Sequence, residues 1–395
     1  MPGTRRVAGG ERSAARRGVA GVTLIEMLVS VAILLILMTI IFSIIQIASQ
    51  AWKKSVQSTS AMQQARVAFE RMTRNLSQAT LNTYYAYYPP GATPPTYYMR
   101  QSELQFISGS TPVSGTTPFI SSSAGNAAQI THAVFFQAPL GVVDPSNTAS
   151  YGALNSLLNA CGYFVIFGND TLRPGFFTTL ANAPPNEMRF RLMEYLQPSE
   201  NLGIYTTSAV SQSGGAVPSW ISNGIPDLAA AQASPVTVRP LASNIVALII
   251  MPEQFANGAS GVQANTAPVS TQANTYNYDS AYQASTLPGG KQGVTANQLP
   301  PLVKVIMVAI DEASAIRLAA ANPGKTSTSP PNLGQSSLFS NPSQLFTNGS
   351  IEGDLDKFQD VLNAKPGNLA HNTIKLNYYI FQTDVIIRGS KWTSS

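Results

Sequence analysis

From Met27 to Ala48 the chain runs 22 residues without a charge, interrupted only by Ser30, Thr39, Ser43 and Gln46. As a helix this run would extend roughly 33 Å, the thickness of a bilayer's hydrocarbon core. Arg5, Arg6, Arg12, Arg16 and Arg17 stand before it, with Glu11 among them, whereas Lys53 and Lys54 follow it. The positive-inside rule then holds the N-terminus in the cytoplasm and sends the C-terminal part across the membrane. The expected location is the inner (cytoplasmic) membrane, crossed once, with the large domain periplasmic or extracellular.

The formal net charge of +5 has to be located before it means anything. Five arginines against one glutamate put +4 in the first 21 residues and leave about +1 for all that follows. A nucleic-acid surface needs Lys and Arg gathered on the folded part, so no nucleic-acid partner is expected. The single cysteine, Cys161, lies in the apolar run CGYFVIFG and reads as a small buried hydrophobe.

Four interpretations of the N-terminus compete. A secretory signal cleaved near Ser49-Gln50-Ala51 would have too long an apolar region. A plain signal anchor fits the length but gives no reason for Glu26 at the mouth of the apolar stretch, where a charge within the bilayer costs about 2.5 to 3.5 kcal/mol. A twin-arginine signal at Arg5-Arg6 or Arg16-Arg17 lacks the residues that should follow. The fourth interpretation is a basic leader ending in glycine, followed by a hydrophobic residue, Thr, Leu, Ile and then Glu. Gly21-Val22-Thr23-Leu24-Ile25-Glu26 fits it position by position.

In this segment the chain resembles the type IV pilin and type II secretion pseudopilin superfamily. The resemblance implies a prepilin peptidase that cuts after Gly21 and methylates the new N-terminal residue, Val22. It also implies that Glu26 is the acidic residue needed for assembly with sibling pilin-like subunits. Cutting would turn a neutral peptide nitrogen into a cationic amine, which a carboxylate on a neighbouring subunit can pair with in low dielectric.

Residues 22–88 contain neither Gly nor Pro, so nothing obvious breaks a helix continuing outward from the membrane. Met62, Ala65, Phe69, Met72, Leu76 and Ala79 recur at spacings of three and four, and Trp52, Val56 and Thr59 extend the stripe backwards. Arg66, Glu70, Arg71 and Arg74 fall on the opposite face. The stripe predicts docking of the helix onto the protein's own sheet, in preference to a short coiled-coil seam. Residues 64–79 are also similar to the corresponding helix of minor pseudopilin J.

Beyond Pro89 come apolar runs of strand length at 104–108, 132–137, 163–167, 244–251, 303–310 and, with a break, 374–388. Short helices are expected at 311–321 and 354–363. Polar stretches at 109–128, 206–236, 256–298 and 321–349 read as surface insertions. The whole predicts an α+β, pilin-like fold, a long N-terminal helix packed on a β-rich domain with long loops. Its parts are a leader at 1–21, a transmembrane helix at 22–50, an amphipathic continuation at 51–83 and an exported domain at 84–395. Residues 299–314 and 379–392, with the leader, resemble the Verru_Chthon cassette protein C family of exported pilin-like proteins.

Signs of catalysis are weak. Ala319 to Thr326 satisfies a relaxed phosphate-loop pattern, but it follows a helix and runs into Pro330-Pro331, so it reads as a helix-ending turn. Glu352, Asp354, Asp356 and Asp360 lack calcium-loop spacing and read as a solvated helix start. His132 and His371 have no partner spacing that points to a reaction. The tyrosines between Tyr84 and Tyr98 could stack on carbohydrate, though clamping the helix exit onto the sheet is the expected role. No enzyme, cofactor, metal or small-molecule substrate is expected. The functional expectation is a processed structural subunit of a pseudopilus or pilus-like structure, and its rival is a membrane-anchored exported binding or adhesion protein.

Overall fold

The structure is a computed structural model. It describes residues 23–88, 94, 97–113, 115–121, 127–170, 176–180, 186–206, 216–225, 237–255, 262–264, 276–282 and 295–391. The chain divides into two compact units, residues 1–56 and 57–395. One helix, α1 (Leu24–Ser77), contributes its first part to the first unit and its remainder to the second.

In the first unit, Leu24–Trp52 is long and apolar enough to cross a membrane, and none of it is buried. Its hydroxyls would be costly in hydrocarbon, and the helix itself satisfies them. Ser30 Oγ donates to Met27 O at 2.8 Å, Thr39 Oγ1 to Ile36 O at 2.7 Å and Ser43 Oγ to Ile40 O at 2.9 Å.

In the second unit, the expected stripe on α1 is the buried face: Ala65, Phe69, Met72 and Leu76 are all in the core, and so is Ala79 just past the helix end. Val56 and Thr59 lie outside the residues whose side chains are described, and Trp52 is exposed. The helix stops at Ser77 although no Gly or Pro ends it. Tertiary hydrogen bonds take over there: Arg388 N–H donates to Ser77 O at 3.0 Å and Thr80 N–H to Gln137 O at 2.9 Å.

The strands are β1 (Tyr84–Tyr88), β2 (Tyr97–Gln101), β3 (Ile107–Gly109), β4 (Gln129–Pro139), β5 (Leu158–Gly168) and β6 (Arg189–Gln197). They continue with β7 (Val238–Ser243), β8 (Ile245–Phe255), β9 (Val262–Ala264), β10 (Tyr278–Asp279), β11 (Leu302–Ile310) and β12 (Tyr378–Ile386). They form a β1-β2 ribbon, a six-stranded sheet β10-β3-β4-β5-β6-β7 and a four-stranded sheet β12-β11-β8-β9. Every pairing is antiparallel. The fold is α+β with a pilin-like layout.

Alternation along β4, β5 and β6 explains how one sheet serves two cores. Phe136, Tyr163, Val165, Phe190 and Leu192 face the core that holds α1 and the four-stranded sheet. Phe135, Phe164, Met193 and Tyr195 face a second cluster with Phe119, Ile120, Trp220 and Ile221. Because both faces are covered, these strands are buried almost end to end.

Several expectations change here. β6 and β7 were not anticipated, because Arg189, Arg191 and Glu194 interrupt the apolar signal of β6. The stretches expected as surface insertions feed the core: Phe119 and Ile120 from the first, Trp220 and Ile221 on α2 (Ser219–Gly224) from the second, Tyr276 and Tyr278 from the third, Leu333, Leu338, Phe339 and Leu345 from the fourth. Single large apolar residues among Gly, Ser and Asn leave no period to detect. The two expected short helices are present as α3 (Glu312–Ala321) and α4 (Asp354–Leu362).

Candidate functional site

Gly21 and Val22 lie outside the described residues; Thr23 and Glu26 lie within them. Thr23 immediately precedes α1, and its Oγ1 accepts a hydrogen bond from Glu26 N–H at 3.3 Å. Thr-x-x-Glu is the spacing of a capping box, in which the threonine satisfies one of the first four unpaired helix N–H groups. Glu26 stands exposed in the first turn, where the helix dipole favours a negative charge. A threonine followed three residues later by glutamate thus does two local jobs, satisfying a free helix N–H and holding a carboxylate at the mouth of the apolar segment. The capping signal is local, Thr23 and Glu26 three residues apart, and it overlaps the leader motif.

Within the second unit, the helix is held to the sheet by a charge cluster. Arg71 Nε and Nη2 donate to Glu194 Oε1 and Oε2 at 2.8 and 3.1 Å. Arg239 Nε also donates to Glu194 Oε2, at 2.9 Å, and Tyr163 Oη to Oε1, at 3.0 Å. Asn75, one turn beyond Arg71, donates to Tyr163 Oη at 2.8 Å. Burial works to lower the Arg71 guanidinium, and its hydrogen bond and charge attraction to Glu194 outweigh that, leaving its pKa raised. Arg71, expected on the face opposite the apolar stripe, is half-buried and reaches round to the sheet, whereas Arg66 and Glu70 on that face form an exposed pair at 2.9 Å. Glu194 had no sequence signal, since its partner is 123 residues away.

The remaining sequence candidates resolve locally. Asn322 caps the end of α3 and Thr326 bridges Ser329, so the phosphate-loop pattern is a turn with no helix opening after it. In the acidic cluster, Asp354 is buried and accepts from Phe339 N–H at 3.1 Å, which departs from a purely solvated helix start. Asp356 accepts from Thr347 Oγ1 and Asp360 pairs with Lys365. Among the described residues, no group of three or more His, Cys, Asp or Glu is placed to hold a metal ion. His371 sits in an exposed turn.

His132 is a sheet-joining residue. A bulge in β4 between Gln129 and Ala133 turns Thr131 and His132 toward the edge of β8 that β9 does not cover. Thr131 Oγ1 accepts from Leu248 N–H at 2.9 Å and His132 Nδ1 from Ile250 N–H at 3.0 Å. Gln335 Nε2 completes the edge by donating to Val246 O at 3.2 Å. With Nδ1 an acceptor, Nε2 carries the proton and donates to Phe339 O at 2.9 Å. Burial pushes the His132 pKa down to about 4.

The tyrosines build the β1-β2 ribbon; Tyr84, Tyr85, Tyr87 and Tyr98 are exposed and do not clamp the helix exit, and the side chains of Tyr88 and Tyr97 lie outside the described residues.

Against this geometry, the family described as a prokaryotic N-terminal methylation motif matches residues 16–42. The match spans the end of the basic leader, Gly21, Glu26 and about the first two thirds of the apolar segment Leu24–Trp52. The chain carries a type IV pilin-like leader. A leader of this kind marks a prepilin-peptidase substrate and implies assembly with pilin-like subunits, and with the Leu24–Trp52 helix it fits a single-pass, membrane-anchored protein. No curated protein and no solved structure matches the chain.

Proposed function

We propose that this chain is a structural subunit cut by a prepilin peptidase after Gly21, methylated on Val22, and assembled through its apolar helix into a pseudopilus or pilus-like structure. The observation that carries the proposal is the methylation motif over residues 16–42 lying directly on an exposed, membrane-length helix. In this scheme residues 1–21 are removed, 22–50 remain in the inner membrane until assembly, 51–83 continue the helix, and 84–395 form the exported domain. Removing the leader takes away +4 of charge and creates an amine four residues before Glu26. The Glu26 carboxylate of a neighbouring subunit then pairs with that amine, each offsetting the other's desolvation. An uncut precursor has no such amine, so cleavage licenses assembly.

Among pilin-like proteins, the likeness of residues 64–79 to minor pseudopilin J favours a place in a secretion pseudopilus. The likeness of residues 299–314 and 379–392 to the Verru_Chthon cassette protein C family favours a set of sibling subunits. Co-expression with a prepilin peptidase tests the core of the proposal. Intact mass should show loss of residues 1–21 and a methylated Val22, whereas an uncut chain or a cut after Ala51 would overturn it.

A further inference from the structure

The β1-β2 ribbon sorts its residues between two faces. Register places Tyr85 opposite Arg100 and Tyr87 opposite Tyr98, and period-two alternation puts these four on one face. Met99, on the other face, is buried, so the tyrosine face looks outward. Tyr85, Tyr87 and Tyr98 are 67%, 59% and 65% exposed, and the Tyr87 and Tyr98 rings lie 5.0 Å apart. These three exposed rings, two along β1 and Tyr98 across from Tyr87, contribute nothing to the core, which already holds Tyr163, Tyr195, Tyr276 and Tyr278.

The same face opens into a cavity of about 250 Å³ lined by Thr83, Tyr85, Arg100, Asn297, Gln298 and Lys391 among others. Its described lining carries two cations and no carboxylate. The wall is pre-formed. Asn297 Nδ2 donates to Arg100 O at 2.7 Å, Thr83 Oγ1 to Asn297 O at 3.1 Å, and Arg100 Nε to Ala296 O at 3.3 Å. Ligand cavities usually run from roughly 300 Å³ upward, so this one seats a single residue of a longer chain.

We infer that this surface binds an anionic polysaccharide, with one uronate residue in the cavity and the adjoining sugars stacked along Tyr85 and Tyr87, flanked by Tyr98 across the ribbon. Tyr85 and Tyr87 stand about 7 Å apart along the strand, the scale of one sugar ring. The hydroxyl-tipped rings suit the mixed C–H and O–H faces of a pyranose, and the Arg100 guanidinium, half-buried and held in place by Tyr85 and Ala296 O, adds a positive charge that suits a carboxylate. Nucleic acid is the weaker fit, since it is held by many phosphate contacts and this surface offers two cations on a nearly neutral domain.

The test uses the full chain in detergent micelles, titrated with oligogalacturonate, a neutral cello-oligosaccharide, oligo-dT and oligoglutamate, and read by calorimetry. Saturable binding of oligogalacturonate alone is expected. It should weaken at least tenfold in the Arg100→Gln, Lys391→Gln double variant and severalfold in Tyr87→Ala, whose exposed side chain can be lost without disturbing the fold. Absence of saturation, equal binding of the neutral sugar, tighter binding of oligo-dT or oligoglutamate, or unchanged affinity in both variants would overturn the inference. Leader cleavage is untouched by these variants and reports separately on the assembly proposal.

Discussion

Arg71 on α1 and Glu194 in β6 share two hydrogen bonds, and Glu194 is fully buried while Arg71 keeps 37% of its side chain exposed. A carboxylate completely enclosed under a helix is tolerated because that helix delivers the compensating charge. Arg71→Ala should therefore destabilise the second unit by about 2 kcal/mol. The loss falls short of the roughly 3 to 5 kcal/mol of a wholly buried pair because Arg239 stays on Glu194 and Arg71 is partly solvated. Urea denaturation at pH 7 measures it. Adding Glu194→Gln should recover part of the loss, and strictly additive effects would show that the pair is not coupled.

Two buried groups titrate in opposite senses. Burial pushes His132 down to about 4. The unfolded chain therefore takes up a proton near pH 6.5 that the folded chain refuses, and stability present above pH 6.5 is lost as pH falls toward 4. Burial pushes Asp279 up to about 6, so the folded chain keeps a proton that the unfolded chain releases near 3.8, and stability is lost as pH rises from 3.8 toward 6. Each effect amounts to about 3 kcal/mol, and between pH 4 and 6 they nearly cancel. Asp279→Asn should expose the histidine, giving a domain that loses about 3 kcal/mol more than wild type between pH 6.5 and 4. Parallel stability profiles for the two proteins would refute this assignment.

Gly162 lies opposite Phe135 in the β4-β5 register, and a Cβ there would come within 2.2 Å of the Phe135 ring. That ring is packed against Phe119, Phe164, Tyr195 and Trp220. Gly162→Ala should cost about 1 to 3 kcal/mol by overpacking, seen as a lower urea midpoint with unchanged slope.

Cys161 is buried and its thiol is pushed up to about 12 by burial and by the Glu194 charge. A thiolate is the reactive species, so the folded chain should resist alkylation at pH 8 and react in 6 M guanidinium. Modification of the folded protein at the rate of a free thiol would contradict the placement.

Glu26→Val should leave membrane insertion and leader cleavage intact and impair incorporation into an assembled structure. Crosslinking along α1 between subunits reads the outcome. Normal incorporation of the variant would remove the amine-pairing argument.

The sequence by itself determined the N-terminal fifth. A charge-free run of bilayer length, five preceding arginines, a glycine-to-glutamate motif and a three-four stripe are local or periodic signals. Each is legible because the residues that carry it act within a turn or two of one another. The α+β class, the strands with continuous apolar runs and the two short helices were legible for the same reason. Tertiary structure decided what depends on distant partners. It ended α1 at Ser77 through Arg388 and Thr80, and it turned Arg71 from a surface charge into the counter-ion of Glu194. It also set His132 against the edge of β8, drew Trp220 and Phe339 from polar stretches into the core, and laid the tyrosines out as a ribbon. A buried charge, an unpaired strand edge and a lone aromatic residue are each costly alone and stable only with a partner that folding supplies. No window of sequence contains both halves.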